Sequence, residues 1–439
     1  MRRLLSVTVL AVILVLSCRE DPEKLFLRQV LSDPLMDQVD SMALAVAATG
    51  FNAGDGYKEV WIRDLNTFIE LSLQVTDTAV VRDALDTFLD FQGADGNIPD
   101  AFVPFRDTAE AYRYRFSRAR RGLAAHKNTV KTDQESSLVQ AVARYVDLTG
   151  DVAYLSRIRG GMTVLQRLEA AMAWLRSAKW EDSYGLVTGA TTADWGDVQP
   201  EHGWGVELDE NTHYAIDIYD NAMYILALDD LVSLCRKAGA DSLAPRWQAL
   251  RDEVAGNVRK HLWDTERQKF IPHIYLDGSP FPEDLDEAAI YYHGGTAVAA
   301  LAGLLSPEEI ADANRRMLEN VAAAGAQSIG LTLYPAYPSG SFANPMMGAW
   351  QYQNGGDWTW FGARWIQVLV QYGMIREAYD ELRPMLQRVV DNKGFHEWYK
   401  LDGTAVGSGT YRGAAVDQFA SIFGKAGSLI RLNCKTLEY

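Results

Sequence analysis

Two short acidic stretches, far apart in the chain, carry the residue types that bond-breaking chemistry needs. Ala193-Asp194-Trp195-Gly196-Asp197 and the run from Phe395 to Gly403 each set a carboxylate among aromatic rings and glycine. Apolar rings against a carboxyl raise its pKa, and flat rings can hold the face of a sugar. One carboxyl that protonates a leaving oxygen, with a second that activates water or attacks, is the pair that cleavage of a glycosidic bond requires. Asp194, directly followed by Trp195, is the first choice for the acid, with Asp197 in reserve. Glu397, between His396 and Trp398, is the expected partner.

Four further loops have the composition of a binding surface. Trp61-Ile62-Arg63-Asp64 offers a ring for stacking and a charged fork for hydroxyls. Asp100 follows the turn residues Asp95-Gly96-Asn97. Asp133, Gln134 and Glu135 stand directly before an apolar helix, where they could line a barrel mouth. Asn354, Gly355, Asp357, Trp358 and Trp360 fall in one Gly-rich aromatic loop, where glycine lets backbone approach a ligand and tryptophans form a wall. Each also has an ordinary structural use: helix capping at Asp64 and Asp133, turn chemistry before Asp100, and a buried aromatic cluster around Trp358.

The elements that must position these loops are helices. Apolar residues recur at three- and four-residue spacing over 66–75, 84–91, 136–148, 162–177, 221–238, 244–262, 297–305, 307–324, 362–372 and 375–391. No run of alternating strands and helices predicts a parallel sheet, although short strands are expected near Lys269–Tyr275. Helices alternating with long loops predict an all-α fold, a closed ring of helical hairpins or (α/α)6 barrel. No fixed repeat favours the α-solenoid alternative, and no Pro/Ser/Gly-rich linker divides residues 41–439.

Composition narrows the partners. With 439 residues, 48% hydrophobic, and a formal charge of -16, the chain has ample material for a core and is unsuited to nucleic acid. At the N-terminus, Arg2 and Arg3 precede an apolar run from Leu4 to Leu16, and Val15-Leu16-Ser17-Cys18 resembles a bacterial lipobox. The expectations are a lipoprotein signal over 1–18, lipidation at Cys18, an outer-membrane lipid anchor, and a tether over 19–40 leading into a first helix. Cys235 and Cys434 are expected as buried thiols. Neither CxxC nor HExxH occurs and the histidines are scattered, so no metal or other cofactor is expected.

The order of these motifs resembles that of the six-hairpin glycosidases. The matching residues are Trp61-Ile62-Arg63-Asp64, Thr132-Asp133 through Leu148-Thr149-Gly150-Asp151, Tyr352-Gln353-Asn354-Gly355-Gly356-Asp357-Trp358, and Glu397-Trp398-Tyr399. The pattern is most similar to the neutral/alkaline invertases, and also to trehalases and processing α-glucosidases. It implies an (α/α)6 barrel, inversion at the anomeric carbon, an Asp acid, Glu397 as general base, and Arg63 and Asp64 holding the sugar that is cleaved. Asp357 and Thr359 stand where the invertases tend to carry Ser and Pro, so sucrose is not implied. The expected activity is an inverting, exo-acting hydrolase of α-linked neutral oligosaccharides. A glycoside phosphorylase and a non-catalytic glycan-binding lipoprotein are the alternatives.

Overall fold

The structure is a computed structural model that describes residues 22–109, 112–127, 130–203 and 208–415. Cys18, Cys434 and the expected signal segment lie outside the described residues. Helices α1 (Pro22–Leu31) and α2 (Pro34–Ala47) occupy most of the stretch read as a tether. Asp33 caps α2 through Leu35 N and accepts a 2.5 Å hydrogen bond from Tyr379 Oη, so this segment is fixed to the body rather than spanning to it.

Helices α3 (Ile62–Val75), α5 (Gln134–Thr149), α7 (Ile218–Lys237), α9 (His293–Leu301) and α11 (Thr359–Gln371) pack each against the next and form an inner ring. Outside it lie α2, α4 (Thr78–Phe91), α6 (Val164–Ala178), α8 (Ala244–His261), α10 (Pro307–Ala324) and α12 (Ile375–Asp391). Helix α12 packs on both α11 and α2 and so joins the two ends of the ring, while residues 412–415 begin a further helical turn. This is the (α/α)6 barrel.

The residues explain the two layers. Helix α5 is buried on nearly every side, from Gln134 to Val146, as a helix enclosed by others must be. Helix α10 buries only Ile310, Ala313, Asn314 and Met317 along one stripe and leaves the rest to water. Its ends are written locally: Ser306 and Glu309 form a reciprocal capping box, Pro307 takes the first turn, and Gly325 closes the helix at φ +71°. The periodicity located ten of these helices, and the sheets are small. The largest among the described residues orders Val60–Trp61, Ala101–Pro104, Leu123–His126 and Tyr114–Arg115 side by side, all antiparallel. Strands at Lys269–Phe270 and Ile274–Tyr275 match the expectation for that segment.

Candidate active site

Bonds between the starts of neighbouring inner helices run along the ring. Arg63 Nε, in the first turn of α3, donates to Asp133 Oδ2 at 2.6 Å, just before α5. Tyr219 Oη, in the first turn of α7, donates to the same oxygen at 2.9 Å. The amides of Gly294 and Gly295, opening α9, donate to Asp194 Oδ2 and Oδ1 at 2.7 and 2.8 Å. A Cβ on Gly295 would sit 2.5 Å from Ile218 Cγ2 and 2.8 Å from Asp194 Oδ1, so glycine alone lets α7, α9 and this loop close together. Trp195 then packs on Phe361 and Trp358 at the start of α11, with ring centroids 4.3 and 4.9 Å apart. Helix starts leave amide donors unpaired and carry partial positive charge, which is why carboxylates gather at this end.

The space above these helix starts is a cavity of roughly 680 Å³ including its open mouth. Its wall is Ala53, Tyr57, Trp61, Arg63, Asp64, Asp100, Trp195, Asp197, Tyr352, Gln353, Trp358, Trp360, Glu397 and Tyr411. Seven aromatic rings therefore face four carboxylates and a single guanidinium. Rings for sugar faces with a few convergent polar groups are the makings of a carbohydrate site.

The carboxylates are not equivalent. Burial raises Asp64 to about 7 against the pull of Arg63, with Asp197 and Glu397 adding to the rise. Burial likewise raises Asp100 to about 8 despite Arg63. Glu397 is raised to about 7, chiefly by burial and further by the charge of Asp197, while hydrogen bonds from Tyr57 and Tyr352 oppose the rise. The Tyr57 hydroxyl donates to Glu397 Oε1 at 3.0 Å. Gly407, at φ +82°, passes so close that a Cβ there would lie 3.3 Å from Glu397 Oε2. Asp197 is held differently: Gln353 Nε2 donates to its Oδ1 at 2.7 Å and Gln353 Oε1 accepts its backbone N–H at 3.2 Å.

Of the residues singled out from sequence, Trp61, Arg63, Asp64, Asp100, Trp195, Asp197, Trp358, Trp360 and Glu397 are on the wall. Asp194 is behind it, 1% exposed at φ +53°, with both oxygens taken by the α9 amides. It caps the start of α9 and does not line the cavity, while burial raises its carboxyl to about 8 against the pull of those amides and of Lys131. Asp133 is fully buried against Arg63 and Tyr219, and Gln134 bonds back to Lys131 O and Asp133. Glu135 accepts from Ile98 N and Lys127. Asn354 ties Tyr337 to Met347, and the Gly355 amide donates to Thr332. Asp357 is buried in a pair with Arg388 at 2.9 Å. His396 contacts Gly407 O, and Trp398 packs on Tyr352; neither lines the cavity. These polar residues gather near the site because they hold its helices and loops in register.

Tyr57, Tyr352, Gln353 and Tyr411 are wall residues that sequence reasoning did not select. Tyr352 and Gln353 belong to the motif that runs on to Trp358, and Tyr57 and Tyr411 lie within a few residues of marked stretches, at Trp61 and Gly403; that proximity was the available signal, and hydroxyl direction was not. The capping role of Asp194 gives a first prediction. Asp194→Asn offers an amide N–H where an acceptor is needed, so it is expected to lower stability to urea by about 1–3 kcal/mol. Its kcat should stay within about tenfold of the parent, far short of losing a proton donor. A loss beyond about a hundredfold in folded protein would return Asp194 to the reacting centre.

No family model matches the chain, and no curated protein matches it. Solved structures do. An uncharacterised conserved protein from Thermus thermophilus shares 18% identity at a TM-score of 0.63, covering 88% of this chain and 100% of its own. A GH63 mannosylglycerate hydrolase from the same organism, in complex with glucose, shares 17% at a TM-score of 0.62, covering 90% and 99%. A rhamnosidase from Klebsiella oxytoca with rhamnose bound shares 15% at a TM-score of 0.59; the match covers 90% of this chain but 64% of that longer one. At these identities the likeness is one of fold: this chain has the architecture of those proteins over nearly its whole described length.

Proposed function

We propose that the protein is a glycoside hydrolase that releases a neutral sugar from the end of a glycan with inversion, with Asp197 as general acid and Glu397 as general base. The observation that carries this reading is the meeting of Asp197 and Glu397 on one aromatic-walled cavity, 200 positions apart in the chain. Two tyrosine hydroxyls donate toward Glu397, which favours its ionised form and suits a group that takes a proton from water. Gln353 occupies one oxygen of Asp197 and leaves the other for a proton to deliver to the leaving oxygen. Asp64 and Asp100 are placed to accept hydroxyl hydrogens of the sugar, and Arg63 to donate to one. The likeness in fold to a mannosylglycerate hydrolase and a rhamnosidase supports the reaction class, while the sugar itself is a matter for experiment.

Phosphorolysis is disfavoured by charge. The wall carries four carboxylates against Arg63, which is already committed to Asp133, so an incoming phosphate meets a repulsive field. Arg412 is buried at 2% exposure behind Ala53 and Tyr411, bonded to Asn52 and Thr49, and does not line the cavity. We also propose that Cys18 is lipidated and anchors the chain at the outer membrane. The lipobox-like spacing supports this, and the anchor would sit only four residues before α1. Expression of Cys18→Ser should shift the protein from the membrane fraction to the soluble periplasmic fraction; unchanged fractionation would refute the anchor.

Glu397→Gln and Asp197→Asn are each expected to lower kcat on a cleaved α-linked oligosaccharide by at least about a hundredfold. Anomeric-proton NMR of the first turnovers should show the released sugar in the configuration opposite to that of the bond cleaved, without dependence on phosphate. Retention of configuration would move Glu397 from base to nucleophile. Because Glu397 works ionised and its carboxyl is raised to about 7, kcat/KM should fall as pH drops below about 7. Tyr57→Phe removes a donor that favours the carboxylate, so it should move this limb upward in pH. An acid limb unmoved by Tyr57→Phe would detach it from Glu397.

A further inference from the structure

The protein as a whole is strongly acidic, yet one excursion reverses the sign. Residues 105–121 carry six arginines against two carboxylates. Within it, Tyr114–Arg115 form the edge strand of the four-stranded sheet whose first strand, Val60–Trp61, reaches the cavity wall at Trp61. Some of its arginines are structural: Arg120 bonds Asp83 and Asp90, and Arg115 bonds Asn97. Others face water. Arg106 has a side chain 86% exposed and pairs with Asp107 at 3.5 Å, and Arg113, Arg118 and Arg121 are exposed; among the described residues Arg118 and Arg121 have no ion-pair partner. Phe105 and Phe116 stand among them, 58% and 66% exposed, edge to face at 5.8 Å.

The two rings pair with each other in the open and are rimmed by arginines, the composition of a binding patch rather than of scattered exposed residues. A cluster of rings lies between the cavity wall and the strand that leads to Phe116. Trp61 packs edge-on to His126 at 5.4 Å, Tyr112 stacks on His126 at 4.4 Å, and Tyr114 meets it edge-on at 5.7 Å. Arg115 and Phe116 follow Tyr114 directly. We propose that this surface is a remote subsite for an acidic glycan: exposed rings take sugar faces, and Arg118 and Arg121, with Arg106 beside them, take carboxylate or other anionic groups along the chain. It rests on the reading of the cavity as a sugar site and adds a substrate class to it. The acid-lined cavity admits a neutral terminal sugar, and the basic excursion then selects glycans that are anionic further from that end. Charge complementarity favours such a partner over the neutral oligosaccharide expected from sequence.

The test measures binding of the full chain, with no turnover, to oligogalacturonate and to its fully methyl-esterified counterpart, which keeps the rings and removes the charges. Acidic oligomers should bind about five- to tenfold tighter at low salt, the range that two or more exposed charge contacts supply. Raising ionic strength should erase the preference. Arg118→Gln/Arg121→Gln should reduce the preference several-fold, and Phe105→Ala/Phe116→Ala should weaken both ligands, with thermal unfolding and turnover of a neutral substrate unchanged. Equal binding of the two oligomers overturns the proposal, as does a preference that survives the arginine changes. Binding to phosphatidylglycerol vesicles that the arginine changes abolish, without any preference between the oligomers, makes the surface a membrane contact and also overturns it. Failure of the catalytic reading shows up separately, as full turnover by Glu397→Gln.

Discussion

The inner helices of this barrel start at one common end, and the site depends on that constraint. Each start presents unpaired amide donors and partial positive charge to a space enclosed by the other helices. Carboxylates answer that need at Asp194, which takes the α9 amides, and at Asp217, which accepts the Asp220 amide at 2.8 Å. The same geometry crowds acids together, and crowding without compensation would be costly. Arg63 and Lys131 supply the compensation. Arg63 joins Asp133 and tempers Asp64 and Asp100, while Lys131, fully buried, pairs with Asp217 and faces Asp220.

That arrangement separates two kinds of acid. Those behind the wall have their oxygens filled by backbone amides, guanidinium, ammonium or hydroxyl groups and serve as ties between helices. Those on the wall border the cavity, and burial raises Asp64, Asp100 and Glu397 toward neutrality; it raises the tied Asp194 and Asp220 as well, so pairing and position, rather than proton affinity, separate the two kinds. Their folded forms bind protons more tightly than the unfolded chain does. The stability they contribute is therefore present in acid and is lost as pH rises through about 7 to 8. A cavity that is less stable at its working pH than a filled core would be is a common mark of a functional site.

The aromatic residues show the same division. Trp195 is 1% exposed and wedged among Trp358, Trp360 and Phe361, so it both seals the barrel and floors the cavity. Phe105 and Phe116 do neither, and their company of arginines gives them a different use. Overall charge describes neither place well. A chain of net -16 contains an acid-lined cavity and, a few strands away, a basic surface.

Much of this was legible in the sequence. Three- and four-residue apolar spacing located the helices, the Ser306-Pro307-Glu308-Glu309 run marked where one begins, and alternation with long loops pointed to a barrel rather than a sheet. The loops that build the cavity were marked by local composition, with Trp61, Arg63, Asp64, Asp100, Trp195, Asp197, Trp358, Trp360 and Glu397 among their residues. The difference in setting between Asp194 and Asp197 was not legible, since one stands beside Trp195 and the other two positions beyond it. What separates them is the start of α9, roughly a hundred positions later, whose two glycine amides claim both oxygens of Asp194 and leave Asp197 on the wall. The partners of Asp357 and Glu135 were hidden for the same reason. Residue types determine which side chains can accept a proton or a hydrogen bond; only packing distant helices together decides which already have a partner and which are left facing an open cavity.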